Sequence, residues 1–149
     1  SFSDSLLTIT NEQLGVAVYK ENSINQLEYF SSFDTPGTVE SVYSNEKTIF
    51  AGLSNDQGCY IALLDDDGQV SSNLQIAEGY SIKDININQG LLALACGNDG
   101  VLLYEWNGGL NISPLGKIPT AYVYTIEVYD RNTIIAGTRD GIQIINFKD

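Results

Sequence analysis

Gly15-Val16-Ala17-Val18, Gly58-Cys59-Tyr60-Ile61, Gly100-Val101-Leu102-Leu103 and Gly141-Ile142-Gln143-Ile144 set a glycine before an apolar tract four times in 149 residues. The glycines lie 43, 42 and 41 residues apart, and self-similarity at such a period is the mark of a solenoid, a propeller or another array of repeats. Upstream of each of the last three glycines lies an apolar pair spaced by three: Val39 and Val42, Ile82 and Ile85, Val123 and Ile126. A polar turn follows, then a dense apolar run ending in glycine: Thr48 to Gly52, Leu91 to Gly97 and Thr133 to Gly137. These runs lack polar alternation, as a strand buried on both faces should.

Asn55-Asp56-Gln57-Gly58, Asn98-Asp99-Gly100 and Arg139-Asp140-Gly141 then read as hairpin turns into a third strand, because Asn, Asp and Gly tolerate positive φ. A more polar segment closes each unit, at Asn25 to Phe33, Ser71 to Ile76 and Asn111 to Ile118, and its polarity suits an outer edge strand. Four antiparallel strands per unit of about 42 residues is the spacing of a propeller blade. The expected fold is all-β, a β-propeller segment of about three and a half four-stranded antiparallel blades. It forms a single domain over 1–149, divided into a partial blade at 1–37, blades at 38–79 and 80–121, and a partial blade at 122–149. The first unit is expected to begin at its second strand, Leu6 to Thr10. Additional blades, a further copy of the chain or a protein partner would complete the ring; the alternative is a strained four-bladed closure.

Phe33-Asp34-Thr35-Pro36-Gly37, Val39, Val42, Ile49-Phe50-Ala51-Gly52 and Gly58 with Ile61 resemble the LVIVD repeat. The unit with Leu115-Gly116, Ile118, Thr120, Val123, Ile126, Val128, Ile135-Ala136, Gly141 and Ile144-Ile145 resembles it as well. Part of the pattern is shared with WD40-like repeats, in which Tyr104-Glu105 would take the place of the Trp-Asp pair. The resemblance implies a non-catalytic β-propeller of the exported or cell-surface kind, and it supplies no catalytic residue.

Nineteen acidic residues against seven basic ones give a formal charge of -12. Nucleic-acid affinity comes largely from Lys and Arg releasing counterions, so nucleic acid is not an expected partner. The longest apolar run, Leu91 to Cys96, is six residues, against the roughly 20 that a helix needs to cross a bilayer; no membrane insertion is expected. Without any methionine, Ser1 is expected to be a processed or excised start. The absence of histidine removes Ser-His-Asp, Cys-His and His-ligand metal chemistry and leaves carboxylate pairs, as in glycoside hydrolysis. Cys59 aligns with Val16, Val101 and Ile142, and Cys96 with Ala51 and Ala136. Both read as small buried hydrophobes with free thiols, a bridge between neighbouring units being the open alternative.

Asp56, Asp99 and Asp140 recur at equivalent turns on one face. Such an arc is a weak candidate for Ca²⁺, which takes several oxygen ligands; turn chemistry, in which Asx side chains bond their own backbone, is the favoured explanation. Otherwise no metal and no cofactor is expected. Asp65-Asp66-Asp67-Gly68 reads as a solvated hairpin tip, and Trp106 as an indole at another tip, folded back on its blade. Binding is expected on the loops of the face carrying Asp34, Asn55, Asp56, Tyr80, Asn98, Asp99, Tyr122, Tyr124, Arg139 and Asp140, since tyrosine gives contact area at little cost in ordering entropy. The expected function is a non-catalytic scaffold for protein–protein interaction or assembly in an extracellular or cell-surface setting. A glycan- or Ca²⁺-binding module is the alternative, and a fragment of a carboxylate-dependent glycosidase the second.

Overall fold

The computed structural model describes residues 2–3, 6–11 and 15–147, so Ser1 lies outside the described residues. Fifteen strands and no helix are found there. β1 (Phe2–Ser3), β2 (Leu6–Asn11), β3 (Gly15–Glu21) and β4 (Leu27–Phe33) form the first sheet. β5 (Val39–Asn45), β6 (Thr48–Leu53), β7 (Cys59–Leu64) and β8 (Val70–Ile76) form the second. β9 (Asp84–Asn88), β10 (Leu91–Ala95), β11 (Val101–Trp106) and β12 (Ile112–Ile118) form the third. β13 (Val123–Asp130), β14 (Thr133–Thr138) and β15 (Gly141–Asn146) form the fourth. Every pairing is antiparallel between sequence neighbours. The first unit therefore does not begin at its second strand: Phe2–Ser3 pairs with Leu6 and Leu7, a strand too short to carry a periodic signal.

The sheets stack face to face, and each junction is a separate apolar cluster. Val16 and Val18 of the first sheet pack on Ile49, Ala51 and Leu53 of the second. Phe50, Cys59 and Ile61, on the other face of the second sheet, pack on Leu92, Leu94 and Leu102 of the third. Ala93, Val101 and Leu103, on that sheet's far face, pack on Ile126, Ile134 and Ala136 of the fourth. β6 and β10 are buried along their whole length, because alternate residues serve two different junctions.

Hydrogen bonds from side chains lace the first strands together. Asp84, Asn86 and Asn88 alternate with Ile85 and Ile87 on β9. The Asp84 carboxylate accepts from the Ile126 N–H at 2.8 Å and the Asn86 side chain from the Val128 N–H at 2.9 Å. Asn88 donates to the carbonyls of Val128 and Tyr129. One face of β9 thus fills an apolar junction while its polar positions satisfy backbone groups of β13, which matters because an orphaned buried amide costs about 1–3 kcal/mol.

Strand register corrects one alignment. Leu94 pairs with Leu102 as Ala51 pairs with Tyr60 and Ala136 with Gln143. Cys96 instead matches Leu53, each closing its hairpin on the glycine before the third strand, at 2.8 Å. The expectation that Cys96 occupies the Ala51 position fails because the run Leu91–Gly97 overshoots the strand by two residues.

The recurring glycines have a packing reason as well as a turn reason. At Gly58 and Gly100, φ is +79° and +80°, and a Cβ would stand 2.2 Å from the carbonyl oxygen of Ile76 or Ile118 at the end of the outer strand. Gly141 keeps a positive φ of +108° but has open space around it. Gly100→Ala should therefore cost about 3 kcal/mol, combining left-handed strain with overpacking. Gly141→Ala should cost only the strain, about 1–2 kcal/mol. Urea unfolding of the two variants checks the difference.

Candidate functional site: one loop rim and two uncovered sheet faces

The turns between second and third strands and the connections between sheets meet on one rim, joined by backbone hydrogen bonds. Gly58 N–H reaches the Tyr80 carbonyl at 2.8 Å, Val123 N–H the Gly97 carbonyl at 3.1 Å, and Arg139 N–H the Tyr122 carbonyl at 2.8 Å. Asn55 and Asp56 both take left-handed backbone, φ 55° and 60°. Ser81 Oγ accepts from the Asp56 N–H at 2.9 Å and donates to its carboxylate at 3.1 Å. Asp34 and Asn98 are exposed on the rim. Asp140 is exposed too, its N–H bonded to Thr138 Oγ1 at 3.2 Å.

Two aromatic–cation groups stand on this rim. Arg139 lies 5.1 Å from the centre of the Tyr122 ring, and Tyr124 lies 4.8 Å from it on a tilted plane. Lys117 Nζ lies 5.3 Å from the Tyr80 ring centre and 3.9 Å from the Asp99 carboxylate. Lys83, whose pKa is raised mainly by its hydrogen bond to Glu40 and further by Tyr122, joins the first group. The structure thus brings Tyr122, Tyr124 and Arg139 together, and Tyr80 with Asp99. It holds Asp56, Asp99 and Asp140 in separate turns with different partners, and among the described residues no three acidic or sulfur side chains gather as a cation site.

At the other ends of the strands, Asp65 caps its own turn by accepting from the N–H groups of Asp67 and Gln69, both at 2.9 Å. Asp66 pairs with Lys47, which lowers the Asp66 pKa and raises that of Lys47. Between this hairpin and the first sheet lies a cavity of about 780 Å³ whose lining includes Leu6, Lys20, Phe30, Lys47 and Asp66; separate strands supply these residues, so no local motif announced it. The Trp106 indole donates to the Gly109 carbonyl at 2.9 Å and meets Phe50 of the preceding sheet edge-on at 5.7 Å.

The two ends of the stack carry what the sequence reading missed. Ile142 is 77% exposed, whereas Val16, Cys59 and Val101 at the matching position are at most 1% exposed. Ile144 is 66% exposed, against at most 6% for Val18, Ile61 and Leu103. At the opposite end, Ile9 and Tyr29 are exposed, with Tyr19 edge-on to Tyr29 at 6.0 Å. The first and fourth sheets share no apolar cluster among the described residues.

Four stacked antiparallel sheets of this kind occur in solved structures. The computationally designed Ika4 protein is matched with a TM-score of 0.71 at 14% identity, over 99% of this chain and 88% of that one. The fold is that of a β-propeller. The Pan2 WD40 domain of Neurospora crassa is matched with a TM-score of 0.65 at 16% identity, over 96% of this chain and 46% of that one. The N-terminal domain of Nup159 is matched at 0.68 and 12% identity, over 100% of this chain and 44% of that one. The chain thus spans less than half the length of the Pan2 and Nup159 chains. The sequence matches no protein-family model and no curated protein.

Both cysteines are buried and free. Burial pushes the Cys59 thiol far above its ordinary range and the Cys96 thiol up to about 12. A group that titrates higher folded than unfolded lends stability that is full below its unfolded pKa, about 8.5 for cysteine, and lost as pH rises. Iodoacetamide should label neither thiol in the folded chain and both in denaturant. Stability should decline between about pH 8.5 and 12, less steeply in Cys59→Val, which takes the residue found at the matching Val16 and Val101.

Proposed function

We propose that this chain is a non-catalytic β-propeller scaffold for protein–protein interaction and assembly, in an exported or cell-surface setting. One observation carries the reading: an apolar sheet face of the kind that three internal junctions bury, here bearing Ile142 and Ile144, stands uncovered by the described residues at the end of the stack. Two large exposed isoleucines on one face of an edge strand are an aggregation liability unless another surface covers them. Support also comes from a matched S. cerevisiae structure in which Dbp5 is bound to Nup159 and Gle1. The absence of histidine removes Ser-His-Asp and Cys-His catalysis, and the likeness to LVIVD repeats is the ground for the exported setting.

A tethered copy tests the reading. Two copies joined end to start by a flexible linker bring one copy's first sheet to the other's fourth at a high effective concentration. The linked chain should melt several degrees above the single chain, and Ile142→Asp with Ile144→Asp in both copies should erase the gain. No gain in the linked chain would sink the reading.

The tyrosine–cation rim favours a second reading, a glycan-binding face, since Tyr122, Tyr124 and Arg139 form one contiguous aromatic–cation surface. Tyr124→Ala should abolish any retention on a glycan array while leaving the melting temperature within about 2 °C, as befits a residue that is half exposed. Retention unchanged by that substitution would remove this rim from consideration.

A further inference from the structure

The three junctions inside the chain are copies of one joint. In each, a face carrying a third-strand pair (Val16 and Val18, Cys59 and Ile61, Val101 and Leu103) lies on the opposite face of the following sheet. The receiving face is carried by a second-strand pair: Ile49 and Ala51, Leu92 and Leu94, Ile134 and Ala136. Strand pairing puts Leu7 and Ile9 of β2 at the register positions of those receiving pairs. Ile142 and Ile144 repeat the inserting pair at the far end. Among the described residues, the two halves of one joint therefore stand uncovered at opposite ends of the stack.

We propose that the occupant of the Ile142/Ile144 face is the Leu7/Ile9 face of a second copy of this chain, so that two copies close head to tail into one ring of eight sheets. This rests on the reading above that the uncovered faces are assembly surfaces, and it names what covers them. Three observations select a second copy. The contact continues a joint already made three times within the chain, so it asks for no new kind of surface. Two copies carry eight sheets, within the roughly four to eight of closed propellers. Lastly, each copy offers one inserting and one receiving face, so a closed pair leaves neither exposed, whereas pairing like faces leaves Ile9 and Tyr29 in water. A head-to-tail contact whose rotation closes gives a ring rather than a fibre.

The chain's charge of -12 opposes the pairing, and the joint itself is apolar. Added salt should therefore tighten the dimer by screening repulsion, the reverse of a contact held by opposite charges.

Sedimentation equilibrium of the 149-residue chain should give a discrete species of twice 16.2 kDa. Ile142→Asp with Ile144→Asp, and separately Ile9→Asp with Tyr29→Asp, should each weaken self-association by about 100-fold or more while keeping the far-ultraviolet spectrum, since all four side chains lie on the surface. Mixing the two variants should restore a 1:1 complex through the one joint left intact on each. A monomer at about 1 mM, an open-ended polymer, or a dimer that survives both double substitutions through the β15 edge would overturn the proposal. A monomeric chain whose linked double still gains melting temperature refutes the second copy alone; a linked double with no gain refutes the scaffold reading as well.

Discussion

Burial of a sheet between two neighbours holds this molecule together. Every residue of β6 and β10 is withdrawn from water because odd positions serve one junction and even positions the next. No sheet here has a core of its own: the apolar side chains of the second sheet divide between two clusters, and each cluster needs partners from the sheet beside it. Apolar burial contributes roughly 25 cal/mol per Å², so stability accumulates joint by joint and nearest neighbours matter most, as in other repeat architectures.

The polar features follow from the same stacking. Once two sheets are pressed together, the first strand of one lies beside the first strand of the next, and the backbone groups between them need partners. Asp84, Asn86 and Asn88 supply those for β13. The outer strands meet water and carry the polar sequence. Between these extremes, the stack fixes the rim, where backbone bonds tie the hairpin turns of the second and third sheets to the connection entering the next sheet. Tyr122 and Arg139 meet within the fourth sheet, where the Arg139 N–H bonds the Tyr122 carbonyl at 2.8 Å and extends the β13–β14 pairing.

A stack built of identical joints also has ends. In the fourth sheet the side chains of the inserting face are as apolar as in the others, and the glycine that elsewhere lies under the outer strand's last carbonyl has open space around it. At the other end, the tyrosine pair Tyr19 and Tyr29 covers part of the receiving face, tyrosine being a side chain that tolerates partial exposure. The ends and the rim are thus different surfaces with different chemistry, one apolar and repeated, the other aromatic and charged.

Much of this was written in the amino-acid order. Gly15, Gly58, Gly100 and Gly141 locate the third strands because positive φ is needed at a hairpin closing residue, a local constraint that any reading of the chain meets. The unalternating runs of the second strands announce two-sided burial. Cys96 was misplaced by two positions because Gly97 resembles the glycine ending the other runs, and only hydrogen-bond register distinguishes Leu94 from Cys96. The strand at Phe2–Ser3 was too short for any pattern. Sequence alone determined every described strand but Phe2–Ser3, their hairpin turns and the number of repeated units, since these depend on residues close along the chain. Tertiary structure alone decided which tyrosines meet which cations, and that Ile142 and Ile144 stand in water while Cys59 and Ile61 do not, because exposure depends on whether a neighbouring sheet is present and not on the residue itself.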